Sequence, residues 1–189
     1  PHKVSTVDML DDMSTSVQVC GACNAVRKEA DGRLVGDMFD GQGFVRGLAR
    51  KGRPAKGASA LIIGSGGVGS AIAVAMAEAG VGHLALYDTR LEAMEKLTDR
   101  LQQFFPKISI QVGSNDPAGF EIVVNATPLG MEPGDPLPFD VERISPETMV
   151  GEVVMKQEET PLLRAAREKG YLTQIGTDML FEQIPAYLE

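Results

Sequence analysis

The chain is poor in the side chains that carry several common chemistries. Among its 189 residues there is no tryptophan, 5% aromatic residues, two cysteines and two histidines. A Ser-His-Asp triad and a zinc site are therefore disfavoured, and we expect no metal. No apolar run reaches the length of about 20 residues that a helix needs to cross a bilayer. The first residues also lack the pattern of a signal peptide. We expect a cytoplasmic protein without a membrane partner.

Acidic residues outnumber basic ones, 26 against 18, which gives a formal net charge of −8. This balance argues against a general nucleic-acid partner. Hydrophobic residues at 43% and charged residues at 23% are ordinary for a globular domain. The basic run from Arg50 to Gly57 is either a nucleic-acid patch or a solvated linker, and the acidic surroundings favour a linker at a domain boundary.

The two cysteines form a C-x-x-C string at Cys20 and Cys23. That spacing occurs in redox-active helix starts and in metal sites, which would need further soft ligands. The residues from Val17 to Val26 alternate in the manner of a strand. We therefore favour structural cysteines within a strand over a redox or metal site.

The first 50 residues show a mixed pattern. A helix is expected around Ser5 to Met13, and a turn from Lys28 to Gly32 joins two strands into a hairpin. A further helix opens at Asp40.

From Ser59 onward, short apolar runs alternate with helical patterns. Strand followed by helix, repeated, predicts an α/β fold with a doubly wound parallel sheet of the Rossmann type. The final segment, Thr177 to Leu188, is amphipathic. The expected strands are Ser59–Ile63, Leu84–Tyr87, Ile108–Val112 and Ile122–Val124, with Val150–Met155 as a further candidate.

A glycine-rich turn follows the first of these strands and precedes a helix. It satisfies G-x-G-x-x-G, whose glycines permit a tight turn, close approach of a pyrophosphate, and close helix packing. The free N–H groups of the helix start favour phosphate, so we predict dinucleotide binding over a plain strand-helix turn. A P-loop is excluded because no G-K-[ST] occurs. The predicted cofactor residues here are Gly64, Ser65, Gly66, Gly67, Val68 and Gly69.

An acid ends the next strand, about 20 residues beyond the turn. Asp88 can accept hydrogen bonds from the adenosine ribose diol and repels a 2′-phosphate, so NAD is favoured over NADP. Thr89 and Arg90 follow within the predicted cofactor site, and Arg90 keeps NADP as the alternative. A helix N-cap role for Asp88 is compatible with either cofactor.

Several strings, in order along the whole chain, resemble the shikimate/quinate dehydrogenase family. The Asn-Ala-Thr-Pro string and the Thr-Pro-Leu-Leu helix start are the more specific of them. The strings are Pro1-His2-Lys3, Gly21-Ala22-Cys23-Asn24-Ala25, Gly36-Asp37-Met38-Phe39-Asp40-Gly41, the glycine turn, Asn125 to Met131, Glu159-Thr160-Pro161-Leu162-Leu163, and Gly176 with Met179-Leu180 and Gln183.

The resemblance implies a Rossmann-type unit plus the downstream part of a substrate-binding domain, with a cleft between them. The expected division is 1–50 for the partial substrate domain, 51–170 for the NAD(P)-binding domain, and 171–189 for a segment returning to the first. The position of Lys3 suggests a chain that lacks the upstream part of the substrate domain. A monomer or a homodimer is expected.

The family's catalytic pair falls on Lys3 and Asp40. A lysine held by a carboxylate can exchange the hydroxyl proton as hydride moves between carbon and nicotinamide, and the pair can bind adjacent ring hydroxyls. Asn24 and Gln183 would bind substrate through their amides. The resemblance places further residues beside the nicotinamide: Asn125, Ala126, Thr127, Pro128, Val153 and Gly176.

The expected function is an oxidoreductase acting on a cyclic hydroxy acid such as shikimate or quinate. Departures from the family include the apolar pair Met38-Phe39, Met155 in place of a substrate-facing tyrosine, and Gln157 in place of a proline. These sustain an alternative, a dinucleotide-binding regulatory or catalytically diverged protein. A methylene-tetrahydrofolate dehydrogenase is disfavoured, because it lacks the Thr-Pro-Leu-Leu and terminal glutamine strings.

Overall fold

The first 50 residues contribute a small three-stranded sheet. The computed structural model describes residues 2–188, so Pro1 of the Pro-His-Lys string lies outside it. Strand order is β1-β3-β2, with β1 parallel and β2 antiparallel to β3. The predicted hairpin is therefore present as β2 and β3. The strands are β1 (Asp12–Met13), β2 (Ala25–Lys28) and β3 (Leu34–Asp37).

The alternating pattern after Ser59 forms a six-stranded sheet in which every pairing is parallel. Its order is β6-β5-β4-β7-β8-β9, which reverses direction between β4 and β7. This is the doubly wound arrangement that the sequence predicts, and ligands bind such sheets at the carboxyl ends of the strands where the order reverses. The strands are β4 (Ser59–Ile63), β5 (His83–Tyr87), β6 (Ser109–Val112), β7 (Ile122–Asn125), β8 (Met149–Glu152) and β9 (Leu172–Gln174).

Helices cover both sheets. Helix α3 is apolar on all sides and lies in the core, whereas α4 buries one stripe that includes Met94, Leu97 and Leu101. No helix within residues 2–188 combines the length and the apolar character needed to cross a membrane. The helices are α1 (Thr15–Cys20), α2 (Asp40–Arg50), α3 (Gly67–Glu78), α4 (Leu91–Phe104), α5 (Pro161–Glu168), α6 (Gly176–Glu182) and α7 (Ile184–Leu188).

Helix α2 packs against its neighbours backbone to backbone. A Cβ added at Gly41 would overlap the carbonyl oxygen of Ala71 in α3, and one at Gly43 would overlap that of Met179 in α6. Side chains at these two positions would push the helices apart, so glycine permits their close approach. The result is that α2 is fixed in register with α3 and α6.

The strand predicted from Val17 to Val26 is wrong up to Asn24, and only Ala25 and Val26 belong to β2. Residues Thr15–Cys20 form α1, because the Ser14 side chain accepts from Val17 N at 3.3 Å and so caps the first turn. Gly21, at φ +65°, ends the helix and donates to Val17 O at 2.8 Å. In so short a helix the buried residues imitate strand alternation, and local capping decides the outcome.

Further boundaries differ from expectation. The helix expected around Ser5 to Met13 is reduced to a 3₁₀ turn at Val7–Met9, because Asp11 pairs with Leu34 in β3. Of the candidate strand Val150–Met155, the first three residues belong to the main sheet as part of β8, and the other three follow the strand as a loop. That sheet continues beyond residue 170, where we expected the Rossmann unit to end, since β9 is its edge strand.

The packing of α2 is testable by adding one methyl group. We expect Gly41→Ala to lower the free energy of unfolding by about 1–3 kcal/mol, because the Cβ overlaps the backbone of α3. Gly113→Ala is the control, since its nearest new neighbour is Gln111 Nε2 at 3.7 Å. Urea unfolding followed by circular dichroism should place the control within about 0.5 kcal/mol of the original chain. Equal stability of both variants would contradict the close packing.

Candidate active site

A groove of about 800 Å³ opens at the carboxyl ends of β4 and β7, where the strand order reverses. Most of the predicted cofactor residues line it. Of that set, the lining residues are Gly64, Gly66, Gly67, Val68, Asp88, Thr89, Arg90, Ala126, Thr127, Pro128 and Val153. Its position is the one at which doubly wound folds bind dinucleotides.

The glycine turn has the geometry that phosphate binding needs. Gly64 has a φ of +105°, which allows the tight turn out of β4. A Cβ at Gly66 would meet nothing closer than Arg90 Nη2 at 3.9 Å, so open space lies over the start of α3. A Cβ at Gly69 would overlap Gly64 O, so that glycine is needed for close packing. Gly66 therefore lines the groove, whereas Gly69 packs behind it.

Asp88 connects the end of β5 to the glycine turn. Its Oδ2 accepts from Ser65 N at 2.7 Å and from Ser65 Oγ at 2.8 Å. Its Oδ1 accepts from Arg90 N at 2.8 Å in a local turn before α4, whose N-cap residue is Arg90, so Asp88 does not take the N-cap role. Burial alone would raise the pKa of Asp88, but the hydrogen bonds from Arg90 and Ser65 outweigh it and hold the pKa well below its usual range. The carboxylate is thus ionised and pre-oriented.

Arg90 is paired rather than free. Its Nη2 donates to Asp88 Oδ2 at 3.2 Å and its Nε donates to Oδ1 at 3.3 Å. A guanidinium held in this way is partly neutralised where a 2′-phosphate would lie. Arg90 nevertheless remains exposed and lines the groove.

Asn125 does not face the groove, contrary to its predicted cofactor contact. Its side chain is fully buried and donates to Leu129 O and to Glu152 Oε1, each at 3.0 Å. Its Oδ1 accepts from Thr127 N at 3.1 Å and Thr127 Oγ1 at 2.6 Å. The amide is consumed in shaping the turn that does line the groove.

Gly176 also lies behind the residues that line the groove. A Cβ there would overlap Val154 O, so this glycine lets the start of α6 contact the segment after β8.

A second cluster joins the four residues that the sequence assigned to substrate chemistry. Lys3 Nζ forms a hydrogen-bonded ion pair with Asp40 Oδ2, and Asn24 Nδ2 donates to Asp40 Oδ1 at 2.7 Å. Asn24 Nδ2 also donates to Gln183 Oε1 at 3.3 Å. The Lys3 side chain is 38% exposed, whereas that of Asp40 is 5% exposed. The cluster therefore presents an accessible amine on a buried carboxylate.

The Asn24 side chain forms more hydrogen bonds within the protein than we predicted. Besides its two donated bonds, its Oδ1 accepts from Phe39 N at 2.9 Å. The amide thus orients Asp40 and the start of α2. Lys3 is held to the same loop through its carbonyl, which accepts from Cys23 N at 2.8 Å.

The cluster is tied to the groove by backbone packing on two sides. The loop that carries Asn24 approaches the glycine turn, since a Cβ at Gly67 would lie 3.6 Å from Ala22 Cβ. Gln183 follows α6, whose first residue contacts the wall segment after β8. The two clusters therefore lie on one continuous scaffold.

The apolar departures from the family take different positions. Met38 is fully buried and belongs to the hydrophobic core. Phe39 packs edge-on against Tyr187 with ring centroids 4.9 Å apart. Met155 is 51% exposed and lines the groove. Of these three residues, Met155 is the one that lines the groove.

The C-x-x-C string does not form a reactive site. Cys20 ends α1, Cys23 lies in the following loop, and both are free and buried. Burial raises the pKa of the Cys20 thiol to about 11, so little of it is thiolate near neutral pH. The structural interpretation of the cysteines stands, although not in a strand.

Two residues of the site escaped the sequence analysis. Tyr187 OH donates to Gln183 Oε1 at 3.4 Å, at the edge of the polar cluster. Glu152 ends β8 and is fully buried beside Asn125. An acid inside an apolar strand was the available signal for Glu152, because buried carboxyl groups are rare without a role.

Known proteins resemble the chain over almost its whole length. Shikimate dehydrogenase (NADP(+)) from Bacillus subtilis strain 168 is 34% identical over 187 residues, which is 97% of this chain and 66% of that protein. Quinate dehydrogenase from Corynebacterium glutamicum, solved in complex with NAD, is 36% identical with a TM-score of 0.84, covering 97% of this chain and 67% of the other.

A third similar protein is named for a different substrate. The ligand-free 5-ketofructose reductase of Gluconobacter sp. strain CHM43 is 31% identical with a TM-score of 0.86, covering 97% of this chain and 67% of the other. No model of a protein family matches the chain. The chain spans about two thirds of the length of the curated relatives it matches.

The different roles of two glycines in the turn give a direct test of the groove. We expect Gly66→Ala to leave the free energy of unfolding within about 0.5 kcal/mol, because its Cβ enters open space. The same methyl group blocks the pyrophosphate approach, so affinity for NADH or NADPH should fall at least about tenfold. Calorimetric titration and thermal unfolding measure both quantities.

Gly69→Ala is the matched comparison and should lower stability itself, since its Cβ overlaps Gly64 O. Undiminished cofactor affinity in Gly66→Ala would show that the turn does not cradle phosphate.

Proposed function

We propose an oxidoreductase function for the chain, which belongs to the shikimate dehydrogenase family. The reaction transfers hydride between a nicotinamide dinucleotide and the ring hydroxyl or ketone of a cyclic hydroxy acid. The observation that carries this proposal is the joining of Lys3, Asp40, Asn24 and Gln183 in one cluster on the scaffold of the groove.

The acid-base step is assigned to Lys3. Its ammonium is partly exposed, so it can reach a substrate oxygen, while Asp40 holds it from the buried side. In ketone reduction the Lys3 ammonium gives a proton to the carbonyl oxygen, and in alcohol oxidation the neutral Lys3 amine takes the hydroxyl proton. Asp40 lies in the first turn of α2, where the helix dipole favours its negative charge.

Gln183 supplies the remaining polar contact. Its Oε1 is taken by Asn24 and Tyr187, whereas its Nε2 has no partner within residues 2–188. The free N–H group can donate to a substrate hydroxyl. Substrate is therefore held by one amide and by the Lys3 and Asp40 pair.

The groove residues fit a dinucleotide. Gly66 leaves space over the start of α3 for a pyrophosphate, and Asp88 lies where an adenosine ribose diol would be bound. A bound nicotinamide cofactor supplies or accepts the hydride. The residues that line the groove would orient that cofactor.

NAD is the proposed preferred cofactor. Asp88 is ionised and would repel a 2′-phosphate, and Arg90 is already paired with it. The curated relatives are named for NADP(+), and the quinate dehydrogenase structure contains NAD. We therefore base the choice of NAD over NADP on the charges of Asp88 and Arg90.

Shikimate and quinate are the first substrates to test, followed by 5-ketofructose, since relatives named for each acid or sugar resemble the chain. Met155 in the groove wall is the feature that separates this site from the family pattern. A diverged dinucleotide-binding protein is the alternative. It would bind cofactor and turn over none of the three.

The catalytic pair is tested by removing each charge in the full-length protein. We expect Lys3→Met and Asp40→Asn to lower kcat by about 10²–10⁴-fold, the scale of general acid-base catalysis. Cofactor affinity should change less than about threefold, because neither residue lines the groove. Absorbance of the reduced cofactor gives the rate.

Lys56→Met is the control, since Lys56 is exposed and remote in sequence from the cluster. A normal kcat in both pair variants would refute the assigned chemistry.

The cofactor choice is tested at Asp88. We expect Asp88→Ala to reduce the ratio of NAD to NADP affinity about tenfold or more, because it removes the negative charge and frees Arg90 for the 2′-phosphate. Asp116→Ala is the matched control, as Asp116 forms a similar pair with Arg143 on the surface. Calorimetry with both cofactors measures the ratio, and an unchanged ratio in Asp88→Ala would refute the role.

A further inference from the structure

Glu152 is a buried carboxyl group with neutral partners. Its Oε1 accepts from Asn125 Nδ2 at 3.0 Å, Val153 N at 3.2 Å and Val154 N at 3.3 Å. Its Oε2 accepts from Thr160 Oγ1 at 3.1 Å. Within residues 2–188 no cation is among its hydrogen-bond partners. Burial outweighs these hydrogen bonds and raises the pKa of Glu152. Placing a carboxyl group there is costly, so its contacts indicate a specific use.

On one side Glu152 determines how the Asn125 amide is oriented. With Nδ2 directed to Glu152 and to Leu129 O, the Oδ1 atom must face Thr127. Thr127 Oγ1 in turn accepts from Leu129 N at 3.1 Å. These bonds shape the turn after β7, whose residues 126–129 line the groove. Reversing the amide would set two acceptors against each other and release the turn.

On the other side Glu152 holds the segment that follows β8. Its two bonds from Val153 N and Val154 N fix the backbone where Val153 lines the groove. Thr160, its fourth partner, also caps α5 by accepting from Leu163 N at 3.2 Å. The segment between them reaches back to the first turn, as Gln157 Nε2 donates to Gly130 O at 2.7 Å.

The turn after β7 and the segment after β8 are therefore both held by the buried Glu152 side chain, the first of them through Asn125. They lie at the ends of β7 and β8, on the far side of the phosphate turn from Asp88. A dinucleotide that places its adenosine ribose at Asp88 extends its nicotinamide half toward β7 and β8. We propose that Glu152 is a positioning residue that holds the nicotinamide side of the groove in its binding shape. This inference rests on the proposed cofactor groove.

The test compares ligands that share the adenosine half. NADH, NADPH and ADP are titrated calorimetrically into the chain and into two variants. Glu152→Ala leaves one N–H of Asn125, the N–H of Val154 and the Thr160 hydroxyl without their acceptor, so we expect the affinity for the tighter reduced cofactor to fall at least tenfold. ADP affinity should change less than twofold, because the phosphate turn and Asp88 are untouched. Glu152→Gln retains an acceptor oxygen for those N–H groups and should stay within about threefold of the original.

Loss of both ligands together in Glu152→Ala, or loss of neither, would overturn the proposal, as would an equal defect in Glu152→Gln. If the unaltered chain binds no reduced cofactor, the proposed function itself fails, and that result is seen before any variant is compared.

A second pair of variants keeps the test independent of folding in Glu152→Ala. Thr160→Val removes the single donor to Oε2 with little change in shape, and Thr160→Ser keeps the hydroxyl. We expect a threefold or greater loss of reduced-cofactor affinity in Thr160→Val, unchanged ADP affinity, and recovery in Thr160→Ser. Identical cofactor affinities in the two Thr160 variants would contradict the proposal.

Discussion

The close packing of α2 is the constraint on which the site depends. Gly41 and Gly43 bring α2 into backbone contact with α3 on one side and α6 on the other. Asp40 begins α2, the phosphate turn begins α3, and Gln183 follows α6. The spacing between the Asp40 carboxylate, the glycine turn and the Gln183 amide is therefore set by helix packing. For the proposed reaction, a shift of about 1 Å in this scaffold is enough to impair catalysis.

Polar side chains complete the site in two separate networks. The network of Lys3, Asp40, Asn24 and Gln183 presents groups that are open to a ligand. The network of Glu152, Asn125 and Thr160 is closed, since its donors and acceptors satisfy one another behind the groove wall. In the proposed enzyme the first network supplies chemistry and the second supplies shape. Such a division keeps reactive groups accessible while the wall stays rigid.

The parts of the fold that were predicted correctly are those fixed by local pattern. The glycine turn, Asp88 and the parallel strands each depend on neighbours in sequence, and all lie where expected. Helix α1 was missed because a cap and a C-terminal glycine outweighed apparent alternation. Strand β9 was missed because it has three residues and depends on pairing with β8. The burial of Asn125 depends on Glu152, which is distant in sequence, and the joining of Lys3 with Asp40 was expected only from family resemblance.

The central claim is that the chain supports direct hydride exchange between a nicotinamide cofactor and a carbon-bound hydroxyl. The most direct measurement follows the label from reduced cofactor deuterated at the transferring position. The cofactor is incubated with the full-length protein and with the ketone formed from shikimate, the ketone formed from quinate, or 5-ketofructose. Mass spectrometry should find a product heavier by about one mass unit, because the deuterium moves intact to carbon. Tight cofactor binding with no labelled product from any of the three ketones would contradict the claim.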